Sequence, residues 1–204
     1  YQVRSGHFII NRGATDNTDV TMHRFVDMKK EGWWSGDLHV HRDPDDMPLL
    51  MTAQDLHIAP VITWWNERSA WKDADPPEEL LFQFDENRYY RILAGEDERG
   101  GGALLYFNMP QPLDLPKASM REYPPMAKYL ELARQNEGIH VDIEKPFWWD
   151  MPTWIALGQV DSIGLANNHI QRDGMLENEA WGKPRDTTRY PPPRGNGYWS
   201  QDNY

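Results

Sequence analysis

His39 and His41 stand one residue apart in Gly36-Asp37-Leu38-His39-Val40-His41. On a strand, side chains two apart leave the same face, so both imidazoles reach a single ion. Neutral imidazole suits Zn, Mn or Fe, and Asp37 is placed to orient one ring as an outer partner. A second polar alternation, His140-Val141-Asp142-Ile143-Glu144, sets His140, Asp142 and Glu144 on one strand face. Three such groups are costly to bury without partners. They form a satisfied polar network, lie on an exposed edge, or open as a cluster into a mouth, where they hold metal or, at Asp142, act as general base. His7, His23 and His57 read as structural.

Positioning these groups needs strands. Asp37 to Val40 reads as one, Pro48 to His57 as a helix with Leu49, Leu50, Ala53 and Leu56 on one face, and Ile58 to Trp65 as a second, buried strand. That β-α-β unit favours a parallel sheet or barrel. Arg88 to Ala94 (running into Gly95-Glu96), Ala103 to Phe107, Ile139 to Ile143 and Ser162 to Ala166 read as further strands. Pro125 to Asn136 reads as a helix stopped by Gly138, and Asp150 caps a short helix running to about Leu157. Upstream, Gln2 to Ile10 and Asp19 to Phe25 flank a turn-rich stretch and predict an N-terminal β-hairpin, the end of an upstream β domain. The expected division is 1–31 for this β segment, 32–181 for an α/β barrel portion and 182–204 for an irregular segment rich in Pro and Gly.

Composition narrows the chemistry. Acidic residues outnumber Lys and Arg by 32 to 21, a net charge of -11, which argues against a nucleic-acid partner. With no Cys, any metal is held by His, carboxylate, amide or water. No run approaches the roughly 20 apolar residues that cross a bilayer, so the chain reads as soluble and without a membrane partner. Its compartment stays open, secretion or a periplasm included, and so does its oligomeric state. Of 10 Trp, six form the pairs Trp33-Trp34, Trp64-Trp65 and Trp148-Trp149, which serve either as core packing or as a substrate-facing wall.

The segment Gly32-Trp33-Trp34-Ser35-Gly36-Asp37-Leu38-His39-Val40-His41 resembles the opening motif of the PHP (polymerase and histidinol phosphatase) superfamily, closest to its CehA/McbA-like metallohydrolases. The resemblance implies a distorted (β/α)7 barrel, here incomplete, in which histidines and carboxylates at strand ends hold divalent ions that activate water. Leu93-Ala94-Gly95-Glu96 resembles the family's next motif and makes Glu96 a metal ligand by resemblance. Val160 to His169 resembles a late strand ending in a ligand, here His169. Asp45 and Asp46 follow His41 where many relatives have another carboxylate or His ligand, which makes Asp46 a further candidate by resemblance. Two departures stand out. Trp64 and Trp65 replace the usual Asp-His pair, leaving Asn66 or Glu67 to line the site, with Glu67 a catalytic candidate. Lys145 stands before Pro146-Phe147 where relatives tend to have His.

The leading expectation is therefore a hydrolase of ester, amide or phosphoester bonds in a small-molecule substrate. A divalent Zn, Mn or Fe sits on His39, His41, Glu96 and His169, Asp142 and Glu67 act in catalysis, and Trp64, Trp65, Asn66 and Lys145 contact substrate. The alternatives are a non-catalytic module that stacks a carbohydrate or aromatic ligand on a Trp64-Trp65 platform, and an interaction domain with a Trp-rich docking surface.

Overall fold

The computed structural model describes residues 5–9, 11–13, 15, 17, 19–99, 102–114, 123–145, 150–164, 170–171 and 174–175. The chain divides into two compact units, 1–35 and 36–204. In the first, no strand occurs among the described residues of the expected hairpin, and Phe8, Ile9, Val20 and Phe25 are exposed. A two-stranded hairpin without a surface to pack on is marginal, and β-propensity alone does not hold it. What is ordered locally is a turn at 28–32, closed by Trp33 N–H donating to the Met28 carbonyl at 2.9 Å and flanked by a Lys30–Asp27 ion pair at 3.1 Å.

The second unit begins with an extended segment bridged in parallel to the next strand at Gly36/Ile58 and Val40/Val61. A 3-10 turn, Pro44–Asp46, leads into α1, Met47–Gln54. This helix stops short of the expected His57 because Asp55 turns left-handed, φ 57°, and returns its N–H to Met51 and Thr52. Seven strands follow in one sheet: β1 (Ile58–Trp65), β2 (Arg68–Ser69), β3 (Leu81–Gln83), β4 (Tyr89–Arg99), β5 (Gly102–Phe107), β6 (His140–Ile143) and β7 (Ser162–Ile163). Helices α2 (Ala127–Ala133) and α3 (Met151–Leu157) precede β6 and β7 respectively, and a separate ribbon pairs β8 (Ile170–Gln171) with β9 (Gly174–Met175).

The sheet order is β2-β1-β4-β5-β6-β7, with β3 beside the start of β4. This corrects the barrel expectation, because among the described residues the sheet is mixed and does not close. β1/β4 and β6/β7 are parallel, but β4/β5 and β5/β6 are antiparallel. Arg99 pairs with Gly102, and a two-residue link is long enough only for an antiparallel reversal. The sheet nevertheless curls strongly. The segment carrying His39 lies four strands from β6, about 19 Å away in a flat sheet, yet the His39 ring sits 2.6 Å from the Glu144 carboxylate just past β6.

One face is covered by helices. Val40, Ala59, Val61 and Ile92 pack with Met47 and Met51 of α1, while Trp64, Leu104, Tyr106 and Val141 pack with α2 and α3. On the other face Ile62, Ala94 and Leu105 form a small apolar layer. Two register shifts between β1 and β4 keep the faces in phase, and Leu93 absorbs one of them with φ 74°. Arg134 at the end of α2 ties the layers together, donating to the carbonyls of Ile139 and Gln159 and to Asp161.

Glycine is required where tryptophan crosses the sheet. A Cβ on Gly95 would lie 1.8 Å from Cε2 of Trp64, and one on Gly102 would lie 2.2 Å from the Trp154 ring. We therefore expect Gly95→Ala to force Trp64 out of its seat and to destabilise the protein by about 2–3 kcal/mol. The readout is a lower urea midpoint at unchanged slope; an unchanged midpoint would show that this packing has slack the distances deny.

Candidate metal centre

Register builds the floor of the site. Partners across neighbouring strands share a face, and Trp65, Glu96, Leu105, Asp142 and Ser162 form one continuous row from β1 through β4, β5 and β6 to β7. The row one residue away, Trp64, Gly95, Tyr106 and Val141, belongs to the helix-covered core. His39 and His41 come from the edge segment, on either side of the core residue Val40. They share with Asp142, Glu144 and Ser162 a cavity of about 1030 Å³.

His39, His41 and Glu96 each bring one donor atom into a group that could hold a metal ion, all within 4.8 Å of one another. The atoms are nearly equidistant: the two Nε2 atoms are 3.1 Å apart, and Glu96 Oε2 lies 3.2 Å from His39 Nε2 and 2.9 Å from His41 Nε2. Ligands at about 2.0–2.1 Å from a tetrahedral ion stand about 3.3 Å apart, so the spacing fits. Proton accounting points the same way. His39 Nδ1–H donates to Glu144, which leaves the Nε2 lone pair of the neutral ring facing another imidazole and a carboxylate oxygen. One proton on His41 can satisfy one edge of that triangle; a central cation satisfies all three.

Without such a cation the cluster takes up a proton. Burial opposes charge on His39, but hydrogen bonds to Glu144 and Glu96 together with their negative charges outweigh it and raise the imidazole pKa to about 9. Burial likewise works to raise Glu96, and it is overcome by His39, His41 and the Lys145 ammonium, which hold the carboxyl well below the usual carboxylate range.

Lys145 is buried with its Nζ 3.0 Å from Glu96 Oε1 and 3.1 Å from Glu98 Oε1. It touches the site through Glu96 and does not line the cavity. Asp142 lines the cavity and accepts a short hydrogen bond from the Ser162 hydroxyl, which itself accepts from His140 Nε2 at 2.7 Å. Burial raises the Asp142 pKa, and the Ser162 contact only partly offsets it.

Other expected residues fall elsewhere. Trp64 is buried under Gly95 and stacked on Tyr106, so the Trp64-Trp65 pair is no platform. Consecutive strand residues point to opposite faces. Trp65 keeps its place beside the site, edge-on to His41 at 5.5 Å and under the Arg68 guanidinium. Asn66, at φ 51°, fastens the turn after β1 by accepting from Glu98 N–H and donating its own N–H to the Glu96 carbonyl. Glu67, in that turn, is exposed and outside the cavity, as is Asp46 at the start of α1. Asp37 accepts from the His39 backbone N–H at 3.0 Å; the ring's own partner is Glu144. His169 lies outside the described residues, as do Trp148 and Trp149.

Sequence reading did not foresee three partners: Glu144 for the His39 ring, Glu98 for Lys145, and Ser162 for Asp142. The alternation His140, Asp142, Glu144 was visible, but its partners lie on other strands. Among the described residues no helix is long and apolar enough to cross a membrane. Comparison of the chain with protein-family models, curated proteins and solved structures finds no match.

Proposed function

We propose that this chain is a PHP-type metallohydrolase whose divalent ion is held by His39, His41 and Glu96. The observation that carries the reading is the convergence of those three donor atoms, 2.9–3.2 Å apart, beside a cavity that His39 and His41 line together with Asp142. A divalent ion bound there would lower the pKa of water toward neutrality and polarise an ester, amide or phosphoester bond. The chain's own groups do the rest. Glu144 fixes the His39 tautomer and ring plane. Asp142, with its raised pKa, holds or releases a proton at the cavity wall, and Ser162 and His140 fix its orientation. Leu105, between Glu96 and Asp142 in the same row, keeps the floor between them apolar. A module that stacks its ligand on paired Trp rings draws less support, because Trp64 belongs to the core.

Elemental analysis after gel filtration tests the site. Wild type is expected to carry about one Zn, Mn or Fe per chain, and His39→Ala, His41→Ala and Glu96→Gln to lose it. A metal-free wild type, after incubation with each ion, would falsify the reading. The loaded protein is expected to cleave a chromogenic ester or anilide. Asp142→Asn should keep the metal while losing about 10²–10⁴-fold in kcat.

The metal-free protein has a pH signature of its own. The His39 pKa is raised from 6.5 to about 9, so its contribution to stability is complete below pH 6.5 and is lost as pH rises through about 9. Thermal unfolding of chelated protein should fall across that window by up to about 3 kcal/mol. His39→Gln should flatten the profile, and an equally steep profile in that variant would assign the effect elsewhere. Because the ion displaces the same proton, metal affinity should climb over this range.

A further inference from the structure

The two oxygens of Glu96 have different neighbours. Oε2 faces the two imidazoles, at 3.2 and 2.9 Å, while Oε1 lies 3.0 Å from the ammonium of Lys145. A carboxylate can bridge two cations through its two oxygens, and two-ion hydrolytic sites place their ions about 3.5–4 Å apart in this way. Here the second side of the bridge already has a cation, covalently attached to the chain. The Lys145 side chain is 1% exposed and its ammonium receives a second carboxylate, Glu98, at 3.1 Å, so a single positive charge with two carboxylate-oxygen neighbours stands where a second ion would sit.

We propose that Lys145 occupies the position of a second ion and restricts the centre to one. The inference rests on the metal-binding reading above. Among the groups ion-paired within the cluster, Glu96, Glu98 and Glu144 contribute three negative charges and Lys145 one positive, leaving two, which one divalent ion balances without a second. Lys145 is thus a positioning residue. It turns Glu96 so that one oxygen is presented to the imidazole side, and it neutralises the carboxylate pair that would otherwise recruit another ion. Removal of a long side chain with its charge leaves both a space and two unneutralised carboxylates, the buried Glu96 and the part-buried Glu98, oxygen donors of the kind a hard cation takes.

Mn²⁺ titration with elemental analysis and electron paramagnetic resonance tests this without any substrate. Wild type should bind about one Mn²⁺ per chain with the spectrum of an isolated ion, and Lys145→Ala should approach two, with exchange coupling between them. Lys145→Arg, which restores the positive charge, should return to one. A folded Lys145→Ala variant that still binds a single ion with unchanged spectrum would overturn the inference while leaving the His39, His41 and Glu96 site intact. Should Lys145→Ala not fold, wild type decides: a second Mn²⁺ within about tenfold of the first in affinity, or a coupled signal with Lys145 in place, overturns it. Wild type that binds no ion would remove both this inference and the site on which it rests.

Discussion

A carboxylate withdrawn from water must find its hydration replaced by fixed donors or cations. Glu96 is almost wholly buried, and it sits where β4 crosses the middle of the sheet. Its partners arrive from distant parts of the chain: two imidazoles from the edge segment and an ammonium from the end of β6. That single requirement draws the edges of the sheet toward each other, because His39 must also meet Glu144. The curl of the sheet, the tautomer of His39 and the burial of Lys145 are all parts of one electrostatic solution.

The division of the sheet into a polar row and a core row depends on keeping register. Glu96 and Gly95 are neighbours with opposite duties, one lining the site and the other lying under Trp64. A slip by one residue would press a carboxylate into the Trp64 seat and leave glycine facing His39 and His41. The left-handed Leu93 in the middle of β4 is strained for a residue with a side chain, and it belongs to the bulge that keeps Glu96 in phase.

Much of this could be seen in the amino-acid order. A His-x-His alternation and a buried apolar run are local signals, and β1 occupies the very residues, Ile58–Trp65, that the pattern marks. Helix ends are less local: α1 ends where Asp55 adopts a left-handed cap, which an Asp shows no sign of in advance. The antiparallel β4–β5 pairing was obscured because the family-like β-α-β rhythm suggested parallel crossovers, although the short glycine link permits none. The N-terminal stretch shows the opposite failure, having strand-like composition while no strand occurs among its described residues. Pairings such as His39 with Glu144 are illegible from one sequence because no periodicity relates residues on separate strands.

The link between His39 and Glu144 spans 105 positions of the chain. Closing a flexible loop of that size costs about 4 kcal/mol in chain entropy before any contact within it is rewarded. The intervening hairpin β4–β5 and its neighbour β6 shorten the effective loop once they have paired, so the order of assembly runs from the middle of the sheet outward. On that argument the His39–Glu144 contact, with its 105-residue separation, is among the contacts that gain least from closing early. An ion held as proposed at His39, His41 and Glu96 would then act as a latch between the edge segment and the middle of the sheet.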